Sequence, residues 1–375
     1  MSVAPLKILI VDDTPANIEL LDTLLRVEGF DTLTAENGEA ARSLAIEAKP
    51  DLILLDVVMP GESGFETCAK LKSDPDTVDI PIIFLSALDD VKSKVNGFKA
   101  GGVDFVSKPV HGEEVLARVR VHLRIRESNR LLAREHQARL EEFRNAQQSI
   151  LVKPEDCPRA NFAVCYLPLE GASGDFYDVV EIDDDVHGYF VADVSGHGVS
   201  AAFLTSAIKA LLRQYSGPLF SPEDTMRGVD RVMRQMLGEE QYLTACFALL
   251  NRRTRKLSVV SAGHPPMVIV RASGRVELVE MKSDPIGIFS SLVLQRQDLR
   301  LGPGDRFYLY SDGLIELKPG GSRKLGLEAL SEACVAKHAV PLACAPNQIL
   351  DLVRKKHESA EAQDDLLLMA VEFKG

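Results

Sequence analysis

Apolar runs that stop on a carboxylate recur along this chain, and one of them constrains it most. Residues 189–198 read Tyr-Phe-Val-Ala-Asp-Val-Ser-Gly-His-Gly: the run stops at Asp193, a glycine-rich loop follows, and the helix-prone residues 199–215 come next. That order predicts Asp193 at a strand's end. Gly196 and Gly198 permit a turn tight enough to aim the carbonyl of Val194 at the same cation. Alone, the segment reads equally well as a strand with an acidic end and an ordinary turn. Three more acidic spots are built alike: Asp175 in Ser-Gly-Asp-Phe-Tyr-Asp, Asp312 after the apolar residues 307–310, and Asp364 with Asp365 before the apolar residues 366–371. Hard oxygen ligands with few histidines or thiols nearby select Mg2+ or Mn2+ over zinc or copper. Converging ends of this kind hold two ions about 3.5–4 Å apart, the arrangement that activates water for in-line attack on a phosphate ester.

Five segments come in one order: Gly-Asp-Phe-Tyr-Asp (174–178), Asp-Val-Ser-Gly-His-Gly (193–198), Ala-Gly-His-Pro-Pro (262–266), Tyr-Ser-Asp-Gly-Leu-Ile-Glu (310–316) and Gln-Asp-Asp (363–365). Together they resemble the metal-dependent serine/threonine phosphatases of the PP2C superfamily, in the bacterial SpoIIE/RsbU branch, over residues 158–373. The resemblance implies a layered αββα sandwich and two Mn2+ or Mg2+ ions. Asp193 would bridge both ions, with the Val194 carbonyl on the second. Asp312 and Asp364 would complete the first, and Asp175 would hold water around the second. Hydrolysis would then proceed without a covalent enzyme intermediate. Asp364 is preferred to Asp365 because the family's Asp-Asp-x-Thr run aligns on its first acid. Two departures stand out: Leu367 replaces that threonine, and Ala172-Ser173 replaces a glycine before Gly174, a change expected to narrow the turn without touching a ligand. His197 is open to two readings, a general acid or a loop-fixing hydrogen-bonder. His264 reads as part of a tight turn lining the site, with no proton transfer assigned, and the glycines at 302 and 304 as a hairpin turn.

With 375 residues, the length predicts two or three domains. The formal net charge of −12 argues against a sequence-independent nucleic-acid binder, which needs an excess of Lys and Arg. The six cysteines form no Cys-x-x-Cys pair and sit mostly in apolar patterns, as reduced core thiols do. No apolar run approaches a membrane span, and residues 1–30 lack the pattern of a secretory leader, so a cytoplasmic protein without membrane contact is expected.

At the N-terminal end, the apolar strand Lys7–Val11 runs into Asp12 and Asp13. Strands at 31–35, 51–55, 81–85 and 103–107 alternate with helix-like segments, and the last three lead into Asp56, Ser86 and Lys108. This alternation predicts a doubly wound parallel sheet of five strands that binds ligands beyond its carboxyl ends. Residues 5–123 resemble the receiver domain of two-component response regulators. In that light Asp56 would be the phosphoacceptor, and Asp12, Asp13, Asp56 and the Val58 carbonyl would bind Mg2+. Lys108 would hold the phosphoryl oxygens, while Ser86 and Phe105 would be the switching residues. A carboxylate attacks a phosphoryl donor only when such cations neutralise the crowded charge. The plainer alternative is a structural Asp56–Lys108 ion pair.

Residues 113–148 lack proline and glycine and are rich in Glu, Arg, Gln, Leu and Ala, which predicts a continuous helix. Leu116, Val119 and Leu123 fit a heptad seam, but its extension meets Arg126 and Arg130. Both a coiled-coil homodimer and a solvated helix with Glu–Arg pairs are open. The expected division is a receiver at 1–123, a helical linker at 124–152 and a phosphatase domain at 153–375.

The leading reading is a response regulator that, on phosphorylation by a cognate histidine kinase or other phosphodonor, controls dephosphorylation of a phosphoserine or phosphothreonine protein. The family resemblance implies an anti-sigma-factor antagonist in a partner-switching pathway as substrate. The alternative is a receiver-controlled adaptor whose phosphatase-like domain is catalytically silent. A diguanylate cyclase, suggested by Gly-Asp-Phe, fits poorly because the Gly-Gly-Asp/Glu-Glu-Phe hairpin is missing.

Overall fold

A computed structural model describes residues 5–87, 91–169, 173–196, 199–238, 241–316, 322–356 and 364–375. His197 and Gly198, Ala172 and Gln363 lie outside the described residues. The chain divides into two compact units, Met1–His136 and Gln137–Gly375.

The first unit alternates β1 (Lys7–Val11), α1 (Pro15–Val27), β2 (Asp31–Ala35), α2 (Gly38–Ala48), β3 (Leu52–Asp56), α3 (Gly64–Ser73), β4 (Ile82–Ser86), α4 (Val91–Lys99) and β5 (Asp104–Ser107). Its sheet has the order β2-β1-β3-β4-β5, all pairs parallel. The central strands are buried on both faces, as a parallel sheet between helices requires. Side chains alternate accordingly: Leu9, Ile53, Leu55 and Phe84 face one core, Ile8, Leu52, Leu54 and Ile83 the other. Asp12, Asp56, Ser86 and Lys108 therefore all emerge at one edge, the carboxyl ends of the strands.

Helix α5 (Gly112–Ile150) is continuous, as the absence of breakers predicts. Arg126 and Arg130, which interrupt the heptad seam, are used within the first unit. Arg126 donates to the Pro50 carbonyl, and Arg130 pairs with Asp51 at 3.3 Å. Residues 127–139 are exposed throughout. The last turn, with Leu151 and Val152 after it, enters the core of the second unit.

That unit contains β6 (Phe162–Leu167), β7 (Asp175–Asp183), β8 (Val186–Val194), α6 (Val199–Tyr215), α7 (Pro222–Met236), β9 (Leu243–Asn251), β10 (Lys256–Ala262), β11 (Met267–Val270), β12 (Val276–Val279), β13 (Gln295–Arg300), β14 (Arg306–Tyr310), α8 (Arg323–Ala336), α9 (Ala345–Lys356) and β15 (Leu366–Glu372). Two antiparallel sheets result, β13-β10-β9-β8-β7 and β12-β11-β14-β15-β6. The period-2 alternation of β14 and β15 sets the layers. Phe307, Leu309, Leu367, Met369 and Val371 pack between the sheets, while Tyr308, Tyr310, Leu366, Leu368 and Ala370 pack against Leu330, Ile349 and Val353 of α8 and α9. On the far side, Leu204, Ile208, Met226 and Val229 of α6 and α7 cover the other sheet, completing αββα.

One expectation is corrected. The turn at Gly302 and Gly304 joins β13 to β14, which lie in different sheets, so it is a crossing between layers rather than a hairpin. Asp305 holds it, accepting from the Gly302 N–H at 2.8 Å and pairing with Arg271 at 2.9 Å.

Candidate functional site

Each unit gathers acids at the ends of its strands. In the first, Asp12, Asp13 and Asp56 each bring a carboxylate oxygen within 4.8 Å of the others. Asp12 and Asp56 are buried, and Lys108 Nζ lies 2.8 Å from an oxygen of each. Burial pushes the Asp56 carboxyl up despite the opposing ammonium, and Asp12 adds to the rise. Burial works against the Lys108 charge too, but its hydrogen bonds to Asp12 and Asp56 win and raise its pKa. Such a cluster is short of positive charge, which a divalent cation supplies. The Val58 N–H faces Asp56 Oδ1 at 3.4 Å. Ser86 is buried at the end of β4, and Phe105 packs inward with its ring centroid 5.1 Å from Phe84 and 5.3 Å from Phe98.

In the second unit, pairing in the β7-β8-β9 ladder sets Asp175 opposite Asp193 and Asp193 opposite Thr244. The other sheet supplies Asp312, just past β14, and Asp364, just before β15. Those ends are joined by Ser311, whose N–H donates to the Leu367 carbonyl at 3.0 Å and whose Oγ accepts from the Leu367 N–H at 3.1 Å. Leu367 thus holds β14 through its backbone while its side chain fills the core.

The acids feel one another. Burial, then the charge of Asp193, raises the Asp175 pKa well above the usual carboxylate range, with Asp365 and Asp364 adding to it. Asp193 is pushed up to about 7 by burial and by Asp312, Asp364 and Asp365. Asp312 is raised by burial, Glu316 and Asp364. Asp175 Oδ2 is buried with no hydrogen-bond partner among the described residues. Arg323 comes within 3.5 Å of Asp312, but its side chain is 68% exposed, so it sits at the rim and does not fill the space among the carboxylates. Unlike the receiver trio, no three of these acids bring oxygens within 4.8 Å of one another. Orphaned oxygen, crowded charge and all-oxygen donors together fit divalent cations.

Gly174 shows how tightly the turn is drawn. A Cβ there would lie 2.5 Å from the Val194 carbonyl oxygen and 3.4 Å from Asp193 Oδ1. Residues flanking the acids are engaged through bonds that link the two sheets. His264 is buried, and its Nε2 donates to the Tyr310 carbonyl at 2.9 Å, which leaves Nδ1 to accept from the Thr244 hydroxyl at 3.0 Å. It therefore ties the Asp193 sheet to the strand leading into Asp312, and burial pushes its pKa down to about 4. Asp365 is held by the Leu169 N–H at 2.7 Å and the Ser173 hydroxyl at 2.5 Å, so both its oxygens are engaged.

This fold and these sites define a response-regulator receiver joined to a PP2C-type serine/threonine phosphatase domain. The chain belongs to the Stage II sporulation protein E (SpoIIE) family, whose model it matches over residues 183–374, and it matches the response regulator receiver domain over residues 8–120. The RsbU and RsbW domains of Rv1364c from Mycobacterium tuberculosis superpose with a TM-score of 0.51 at 27% identity, covering 57% of this chain and 60% of that one. The SiaA-PP2C domain of Pseudomonas aeruginosa shares the fold, with a TM-score of 0.56 at 21% identity over 65% of this chain and 99% of that one. The receiver is 42% identical over 118 residues to the DNA-binding dual master transcriptional regulator RpaA of Synechocystis, covering 32% of this chain and 49% of that protein. It is 44% identical over 114 residues to the response regulator PleD of Caulobacter vibrioides, covering 30% of this chain and 25% of that protein. The match thus spans half or less of these two curated relatives. No described helix is long and apolar enough to cross a membrane.

Proposed function

We propose that this chain is a receiver-controlled, metal-dependent phosphoserine/phosphothreonine protein phosphatase. The observation that carries the reading is the convergence of Asp175, Asp193, Asp312 and Asp364 from two sheets, with a buried oxygen of Asp175 left without a hydrogen-bond partner among the described residues. In this reading Asp193, Asp312, Asp364, Asp175 and the Val194 carbonyl hold two Mn2+ or Mg2+ ions. Such ions lower the pKa of water and neutralise charge on a phosphate ester. Asp193 stands between the two groups of acids, and its elevated pKa fits a carboxylate that gives up its proton to a cation. Asp364 serves rather than Asp365 because the latter's oxygens are committed to Leu169 and Ser173.

In the receiver, we assign phosphate acceptance to Asp56, Mg2+ to Asp12, Asp13, Asp56 and the Val58 carbonyl, and phosphoryl binding to Lys108. Ser86 and Phe105 respond to the new charge. A histidine kinase or small acyl-phosphate donor would supply the phosphoryl group. The domain limits proposed are 1–123, 124–152 and 153–375, with Leu131, Leu132 and Phe143 exposed on α5 as candidate contacts of a homodimer. Free thiols at all six cysteines suit the cytoplasm. The substrate proposed, from the resemblance to the SpoIIE/RsbU branch carried by the five motifs, is an anti-sigma-factor antagonist in a partner-switching pathway. The test is Mn2+-dependent release of phosphate from candidate phosphoproteins by wild type, Asp193→Asn and Asp312→Asn; equal rates in all three would refute the site.

A further inference from the structure

Resting on the phosphatase reading, we propose that Ser173 is a positioning residue that sets the acids of the two sheets relative to each other, and that Gln147, near the end of α5, holds Ser173 in place. Ser173 is fully buried immediately before Gly174. Its Oγ accepts from the Asp175 N–H at 3.0 Å, so its single proton goes to Asp365 Oδ2 at 2.5 Å. One hydroxyl therefore joins the first residue of β7 to the segment entering β15, strands of different sheets. The Asp365 N–H in turn donates to Asp364 Oδ1 at 2.8 Å. Ser173 is thus one bond from Asp175 and two from Asp364. The sequence expectation that this departure touches no ligand holds for side chains alone, since the backbone of Asp175 is bonded directly.

Gln147 grips the same residue from the helix. Its Nε2 donates to the Ser173 carbonyl at 2.6 Å and its Oε1 accepts from the Ser173 N–H at 3.1 Å, with Nε2 also 3.5 Å from Thr205 Oγ1 of α6. A primary amide satisfies a backbone N–H and C=O together, and among buried groups such a clamp is expensive to leave half-made. Each residue of an α-helix turns by about 100°. A twist or withdrawal of the end of α5 would therefore pull the amide off Ser173 and loosen Asp175 and Asp365 together. A signal carried along α5 has here a bonded route to the acids.

The experiment is calorimetric titration of the full chain with Mn2+ for wild type, Ser173→Ala and Gln147→Met. It is paired with phosphoserine-peptide hydrolysis as a function of Mn2+ and with urea unfolding in EDTA. Groups that orient metal ligands typically contribute 10–100-fold in affinity. Each variant should lose about tenfold or more in Mn2+ affinity, with the Mn2+ needed for half-maximal rate rising in step and saturating Mn2+ restoring most of kcat. Adding Ser173→Ala to Asp365→Asn should cost less affinity than adding it to wild type. Folded variants that bind Mn2+ within twofold of wild type overturn the proposal. So does loss of folding in both single variants, which would make the clamp purely structural. A wild type that binds no Mn2+ overturns the phosphatase reading as well, whereas binding by wild type with unaffected variants overturns this inference alone.

Discussion

Asp193 illustrates how a single side chain can be costly to the fold and useful to the site. It lies at the end of a buried strand, and its pKa is pushed up to about 7 by burial and neighbouring acids. Asp193→Asn should remove that repulsion and raise stability in EDTA by about 1–3 kcal/mol. The same change should lower Mn2+-dependent turnover by about 10³-fold or more if Asp193 holds both ions as proposed; urea unfolding and phosphate release report the two effects. Gly174 admits no side chain: a Cβ would meet the Val194 carbonyl at 2.5 Å, so Gly174→Ala must displace that carbonyl. Mn2+ affinity should fall at least tenfold, as calorimetry would show. His264 gives a pH signature. Its folded pKa of about 4 lies below the ordinary 6.5 because it is buried. Between those values the unfolded chain binds a proton that the folded chain does not, so its contribution to stability is lost as pH falls, by about 3 kcal/mol over the full interval. Asp175 and Asp193, with raised pKa values, act the opposite way and gain stability as pH falls through their folded pKa. The comparison that isolates His264 is therefore wild type against His264→Gln, in EDTA. Any advantage of wild type at pH 7 should shrink toward pH 4 by that amount, and a pH-independent gap would refute the assignment.

At the scale of elements, strands that stop on charges were legible because the apolar run and the charge are adjacent in sequence. That local pattern places Asp12, Asp56, Lys108, Asp193 and Asp312 at strand ends before any packing is known. Elements without an apolar period were not legible. β13, Gln-Arg-Gln-Asp-Leu-Arg, is an exposed edge strand recognisable only by its pairing with β10. α7 does carry a local signal, a capping box between Ser221 and Asp224. His264 and Ser173 stand out in the sequence, but their bonds and those of Gln147 do not, because the partners are distant: the Tyr310 carbonyl is 46 residues from His264, the Ser173 backbone 26 from Gln147, and the Asp365 carboxylate 192 from Ser173. Arg126 and Arg130 break the heptad for a comparable reason, since they serve Pro50 and Asp51. The strand ends of the receiver sheet make their own prediction. Lys108→Met leaves the buried Asp12 and Asp56 without their shared ammonium. Stability in EDTA should drop by about 2–4 kcal/mol, and Mg2+ should restore more of it than in wild type. Urea titrations with and without Mg2+ measure this.

In the molecule as a whole, control requires that a charge placed at Asp56 change what happens at Asp193. The two acids belong to different compact units, and the covalent path between them includes the uninterrupted helix Gly112–Ile150. A phosphoryl group on Asp56 would compete with Asp12 for Lys108, so the receiver has a reason to rearrange. Coupling between sites is a free energy, and a tenfold change in turnover needs only about 1.4 kcal/mol of it. That is small beside the cost of breaking a buried amide clamp such as Gln147 makes with Ser173. Beryllium fluoride with Mg2+, which mimics an acyl phosphate, should therefore change the Mn2+-dependent turnover number of wild type by about tenfold. Should α5 pair between copies through Leu131, Leu132 and Phe143, the sedimentation coefficient should shift as well. Asp56→Ala should abolish both responses while leaving basal hydrolysis intact, because Asp56 belongs to the other unit. If wild type shows neither a rate change nor a sedimentation shift, the receiver does not control the phosphatase. A rate change without a sedimentation shift would place the control within a single chain, along α5.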